Sequence, residues 1–146
     1  MFSSIAIASD HRGYWLKKDM IEYFESKGFN VTDFGADSDC VSVDYPDYAK
    51  KVAKHVLANE NSFGILICDS GVGMSIAANR FKDIRAVLCY REDIARLSRE
   101  HNNANIICFG SSFIDPDLAI RCAEVFAATK LADERHLVRI NKIDAI

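Results

Sequence analysis

Short, unbroken apolar runs separated by amphipathic stretches constrain this chain more than any other feature. The runs are Phe2–Ala8, Phe29–Phe34, Phe63–Cys68, Ile84–Cys89 and Ile106–Phe109. Strands with one wet face alternate polar and apolar residues, whereas strands covered on both faces, as in a parallel sheet, do not. Between the runs the apolar period lengthens to three and four. Leu16, Met20, Tyr23 and Phe24 share one face of a predicted helix over Tyr14–Lys27, with Gly28 closing it as the C′ residue. Tyr48, Val52, Val56 and Leu57 mark a second helix from Pro46 to about Asn59, proline being suited to a first helical turn. Further helices are predicted after Gly73, over Glu92–Glu100 and from Pro116 to about Thr129. A charged tail with some helical character, about residues 133–146, ends the chain.

This alternation predicts an α/β fold: a single-domain three-layer α/β/α sandwich over residues 1–146, built on a five-stranded parallel Rossmann-like sheet. Ligands in such sheets collect outside the carboxyl ends of strands, above all where the strand order reverses. Asp10 and His11 after the first strand and Cys68–Gly73 after the third are therefore expected to meet at one edge. The strand order itself is not legible.

Charge and cysteine usage exclude several classes. A net charge of −3 gives no electrostatic reason to expect nucleic acid or an anionic membrane as partner. Five cysteines (Cys40, Cys68, Cys89, Cys108, Cys122) without a Cys-x-x-Cys pair fit a reducing compartment better than a disulfide framework. His11, His55, His101 and His136 are scattered without metal-ligand spacing, so neither metal nor cofactor is expected. The first residues lack a basic leader and no apolar run reaches membrane-spanning length, which predicts a cytoplasmic protein.

The densest motif is Gly64-Ile65-Leu66-Ile67-Cys68-Asp69-Ser70-Gly71-Val72-Gly73-Met74-Ser75-Ile76-Ala77-Ala78-Asn79, a strand, a two-glycine loop and a helix. Ile76 stands where a dinucleotide fingerprint needs its third small residue, no Gly-Lys-Ser/Thr follows, and Met74 replaces the arginine of a Cys-x5-Arg phosphatase loop. Two readings survive: a loop whose amides face an oxyanion, phosphate or sugar oxygen, or a merely tight strand-to-helix turn. Cys68, at the strand's end, is either a buried small hydrophobe or a thiol facing that anion; Cys89 and Cys108 read as core. Asp10 is either a helix cap or part of a polar cluster with His11. His101-Asn102 suits a helix C-terminus, and Arg135 and Arg139 would share a helical face that is either solvated or phosphate-binding.

Taken in order, Ala8–Gly13, Asp44–Ala49, Gly64–Cys68 with Gly71–Asn79, Ile84–Val87, Ser98–Asn105, and Arg135-His136 with Arg139 resemble ribose-5-phosphate isomerase type B and its relatives, the allose- and galactose-6-phosphate isomerases. The series spans residue 5 to about residue 140. The resemblance implies a metal-free aldose–ketose isomerase acting on ribose 5-phosphate and ribulose 5-phosphate. It also implies a homodimer with shared active sites, whose dimers could pair further. Carried over by position, Cys68 is the base moving a proton between C2 and C1, and Ser70 handles protons on the substrate oxygens. The loop of Asp69, Gly71, Val72 and Gly73 is the enediolate's anion hole. Asp10 and His101 open the sugar ring, Asn102 binds its hydroxyl end and Tyr45 walls the pocket. His11, Arg135 and Arg139 grip the phosphate, the two arginines from the 133–146 tail.

Allose- or galactose-6-phosphate isomerisation is the alternative within this chemistry, and a non-catalytic sugar-phosphate or nucleotide-binding module the alternative outside it. Two residues depart from the family pattern. Asp69 stands where relatives commonly have glycine; its charge would oppose both thiolate and enediolate, so its carboxylate is expected to point outward. Ser112 stands where relatives usually carry a substrate-contacting arginine.

Overall fold

The computed structural model describes residues 1–146. The chain runs β1 (Ser4–Ser9), a 3₁₀ turn (His11–Gly13), α1 (Tyr14–Ser26), β2 (Asn30–Asp33), α2 (Tyr45–Ala58) and β3 (Ser62–Cys68). It continues through α3 (Val72–Ala78), β4 (Ala86–Leu88), α4 (Glu92–Asn102), β5 (Ile106–Gly110), α5 (Pro116–Ala128) and α6 (Arg135–Asp144). All strand pairs are parallel, in the order β2-β1-β3-β5-β4. From β1 the chain moves to one edge and returns on the other side of β1 as β3. The loops after these two neighbours therefore diverge over opposite faces and leave a crevice between them.

Side-chain alternation along the strands divides the core into two layers. Ile5, Ile7, Phe63, Ile65, Ile67, Ile107 and Phe109 face α1, α4 and α5. Ala6, Ala8, Leu66, Cys68, Ile106 and Cys108 face α2 and α3. Both faces of β1, β3 and β5 are thus covered, the physical reason their sequences run apolar without alternation.

The elements follow the expected order, with shifts at their ends. β4 spans Ala86–Leu88 rather than Ile84–Cys89, because it is an edge strand with one partner and its flanks turn into loops. α1 ends at Ser26, with Gly28 at φ 90° just beyond. α4 runs to Asn102, where His101-Asn102 were expected to end it, and Asn103 closes it in the left-handed region at φ 46°. The tail is helical over α6, which packs on α4, and the Ala132 amide donates to the Glu100 carbonyl at 3.1 Å. No helix is long and apolar enough to cross a membrane.

A buried lysine ties the β1–β2 side of the crevice together. Lys17 on α1 is 1% exposed, and its ammonium donates at 2.7 Å to Asp33 Oδ1 and at 2.7 Å to the Ala36 carbonyl. Buried charges persist when paired and fully hydrogen-bonded. Lys17→Met keeps the apolar stem but strips Asp33 and Ala36 of their donor. It should lower unfolding free energy by about 1–3 kcal/mol, and an unchanged urea midpoint would show that the contact is dispensable.

Candidate active site

At the carboxyl ends of β1 and β3 the chain gathers Asp10, His11, Cys68 and the loop that follows it. Asp10 caps the 3₁₀ turn: its Oδ1 accepts from the Arg12 amide at 2.9 Å and the Gly13 amide at 3.2 Å. The capping expectation holds, and the turn it fixes carries His11 into the crevice. The Val43 amide donates to His11 Nδ1 at 3.2 Å. An accepting Nδ1 places the proton of the neutral ring on Nε2, leaving that nitrogen as a donor.

Cys68 is the last residue of β3 and is buried, with its Sγ accepting from the Gly71 amide at 3.2 Å. Ser70 Oγ accepts from the Val72 amide at 3.2 Å. Gly71 lies in the left-handed region at φ 78°, which lets the loop reverse into α3. Two of the loop's amides are thus engaged locally, while those of Ser70 and Gly73 donate to no acceptor within the chain. The Tyr45 ring lies against Gly73, where a β-carbon would come within 2.6 Å of its Cζ. It closes the side of the loop as a wall.

Two further contacts hold this loop from behind. The Tyr90 hydroxyl donates to the Ser70 carbonyl. Burial, then the proximity of Cys68 and Cys108, raises the Tyr90 phenol above its ordinary range. Gly110, the last residue of β5, passes so close that a β-carbon there would fall 2.4 Å from the Ser70 carbonyl carbon and oxygen. Cys108 is pushed upward by burial and then by Cys68, so it remains a neutral thiol in the core.

The Asp69 carboxylate points out of the loop, as expected, and its partners are specific. Its Oδ1 accepts from Arg12 Nε at 3.3 Å, from Arg12 Nη2 at 3.2 Å and from the Ser112 hydroxyl. Ser112, then Arg12, holds this carboxyl below the usual carboxylate range. The two residues that depart from the family pattern are therefore bonded to each other.

The remaining predicted residues lie elsewhere. α4 runs against the strands for 11 residues, roughly 16 Å, so its last turn reaches the amino edge of the sheet. The Arg99 guanidinium sits over the ring of Phe2, 4.7 Å from its centroid, just before β1 begins. Arg85, just before β4, donates to the Asn102 carbonyl at 2.9 Å. Here His101, Asn102, Arg135, His136 and Arg139 line a wholly polar cleft of about 430 Å³. The His101 and His136 rings stack at 4.3 Å between centroids. Burial, then His101, Arg135 and Arg139, pushes His136 below its ordinary value, the behaviour of a site already rich in positive charge. One chain thus presents a thiol-and-amide pole and a cationic pole at opposite edges of one sheet.

A doubly wound parallel sheet with a thiol and a glycine loop at its switch point defines an α/β protein whose candidate ligand site is the crevice between β1 and β3. The Ribose/Galactose Isomerase family model matches residues 5–143, and the chain belongs to that family. A putative sugar phosphate isomerase of Rickettsia bellii is 46% identical over 140 residues, covering 96% of each chain. The crystal structure of a ribose 5-phosphate isomerase from Thermotoga maritima superposes with a TM-score of 0.96 at 49% identity, over 100% of both chains. Ribose-5-phosphate isomerase B from Mycoplasma genitalium, solved with bound ribulose-5-phosphate, gives a TM-score of 0.94 at 41% identity, covering 99% of this chain and 97% of that one.

Sequence reasoning missed Tyr90, Gly110, His136 and the attachment of Arg12. Each acts through a contact between elements far apart in the chain that no local pattern encodes. Gly110, a glycine ending an apolar run, carried a visible signal, and Arg12 and His136 lie in segments of the family resemblance without an assigned role. Gly110→Ala should push the Ser70 backbone outward and cut kcat about 10–100-fold without unfolding the sheet. Circular dichroism with steady-state kinetics checks this, and undiminished turnover would show that the close approach is not needed.

Proposed function

We propose that this chain is an aldose–ketose isomerase interconverting ribose 5-phosphate and ribulose 5-phosphate through an enediolate. The observation that carries this reading is the Cys68 thiol, placed at the end of β3 beside loop amides that find no acceptor within the chain. The family membership and the ribulose-5-phosphate-bound relative support the substrate class. Cys68 as thiolate takes the proton from C2 and returns it to C1, while the Ser70 hydroxyl exchanges protons with the substrate oxygens. Negative charge that grows on the carbonyl oxygen meets the loop of Asp69, Ser70, Gly71, Val72 and Gly73. Amides fixed before charge develops lower the barrier by several kcal/mol. The reaction needs a base and an oxyanion site, which these residues supply without a metal.

His101, Asn102, Arg135 and Arg139 join this site from a second copy. They lie at the amino edge of their own sheet, so a homodimer that sets one copy's cationic pole on the other's thiol pole completes both sites. Asp10 and His101 then flank the ring oxygen for ring opening, and His11, Arg135 and Arg139 hold the phosphate. The whole chain, residues 1–146, acts as one domain in this arrangement, with the 133–146 tail as the arm that reaches the partner.

Purified protein should isomerise ribose 5-phosphate in the presence of a chelator and prefer it to six-carbon aldose 6-phosphates. Cys68→Ala should lower kcat about 10²–10⁴-fold with little change in substrate binding. A six-carbon preference, chelator sensitivity or an active Cys68→Ala protein would each overturn the corresponding part. Mixing inactive Cys68→Ala protein with an Arg135→Ala/Arg139→Ala variant should restore activity through hybrid dimers that carry one intact site. Absence of recovery after subunit exchange would place the whole site within one chain.

A further inference from the structure

Three loops converge on one oxygen at the rim of the crevice. Asp69 Oδ1, after β3, accepts from Arg12 Nε and Nη2, after β1, at 3.3 and 3.2 Å, and from the Ser112 hydroxyl, after β5. The backbone repeats the attachment: the Ser112 amide donates to the Asp69 carbonyl at 3.1 Å and the Ser111 amide to the Cys68 carbonyl at 2.9 Å. Ser111 Oγ donates to the Arg12 carbonyl at 2.9 Å. The Arg12 and Asp69 side chains are 60% and 47% exposed, and a pair that open adds little to folding stability. Such redundant anchoring of an exposed carboxylate has no stability rationale.

Its position supplies one. Asp69 follows Cys68 directly and precedes the loop amides, so a bare carboxylate here would disfavour charge on the thiol and on any oxyanion in the loop. The helices packed on Cys68 bring no compensation, since α2 and α3 present Ala49, Val52, Ala53, Met74 and Ala78. The other titratable groups around it are Asp10 and His11 after β1, Tyr90 after β4 and Cys108 on β5; His11 accepts the Val43 amide through Nδ1 and so, as a neutral ring, adds no cation.

We infer that Arg12 is a positioning residue for the anion loop: with Ser112 it turns the Asp69 carboxylate outward and cancels its charge, so that Cys68 and a bound oxyanion do not meet it. This rests on the reading of Cys68 as the base, yet one of its consequences is measurable without turnover. Removing Arg12 exposes the Cys68 thiol to an uncompensated neighbour, and removing the Asp69 charge as well relieves it.

The test is peptide-resolved alkylation by iodoacetamide at pH 7, which separates Cys68 from exposed Cys40, run beside the pH profile of kcat/KM on ribose 5-phosphate. Arg12→Gln should slow Cys68 alkylation about three- to tenfold and move the acid limb of kcat/KM up by about half to one pH unit. Arg12→Lys should recover most of both, as should the double variant Arg12→Gln/Asp69→Asn. Unchanged alkylation and an unchanged acid limb in Arg12→Gln would overturn the inference. So would a double variant as impaired as the single one, which would assign Arg12 a direct contact instead. Alkylation that follows the expected order in a protein inactive on every sugar phosphate would retain this inference and discard the isomerase reading.

Discussion

The register of β1, β3 and β5 is the constraint on which the rest of the site depends. Ser9 lies opposite Ile67 and Cys68 opposite Gly110, so three strands end within one residue of each other. Neighbouring strands are about 4.8 Å apart, which sets Asp10, Cys68-Asp69 and Ser111-Ser112 side by side without any further instruction. A slip of one residue in β3 would send Cys68 into the opposite layer, against α1 and α5. Both faces are apolar, so size opposes that slip: Phe63, Ile65 or Ile67 would have to enter the layer where even a β-carbon at Gly64 would fall 2.7 Å from Val52. The packed core thereby holds the thiol in place.

Much of this was legible because it is local. Continuous apolar runs, Pro46 and Pro116 near helix starts and the Gly71-Val72-Gly73 reversal each act through neighbours in sequence, so the order of elements could be inferred. The strand order was not, since whether β4 or β5 lies beside β3 turns on packing between residues forty apart, such as Ile65 with Ile107. β4 was overextended for a related reason. Ile84 and Cys89 are buried, as their apolar character requires, but burial beneath α3 and α4 does not need a strand.

The candidate site divides in the same way. Asp10 as a cap, Cys68 at a strand end and Asp69 turned outward were accessible from position and charge. What held Asp69 outward was not, because Arg12 and Ser112 lie 57 and 43 residues away from it. Tyr90 behind the Ser70 carbonyl and His136 against His101 are likewise products of topology. The two unusual residues, Asp69 and Ser112, looked independent in one dimension and are partners in three.

The separation of thiol pole from cationic pole follows from the parallel sheet itself. Residues that follow strands collect at one edge, and residues that end the returning helices collect at the other. A two-fold pair of copies turns this separation into two equal sites, because an isologous contact sets each edge against its opposite. In the proposed dimer the division also matches the substrate's electrostatics. The phosphate is charged throughout the reaction, so His11, Arg135 and Arg139 would hold it equally in ground and transition states and contribute to affinity. The enediolate's charge is transient, and the pole proposed to meet it offers amides and a hydroxyl, with the Asp69 carboxylate paired to Arg12 and that of Asp10 to the Arg12 and Gly13 amides. Dipoles aimed at the developing charge lower the barrier, whereas a net positive charge beside the loop would also attract anions in the ground state. In the proposed mechanism a neutral Arg12–Asp69 pair would keep that pole selective for the transition state.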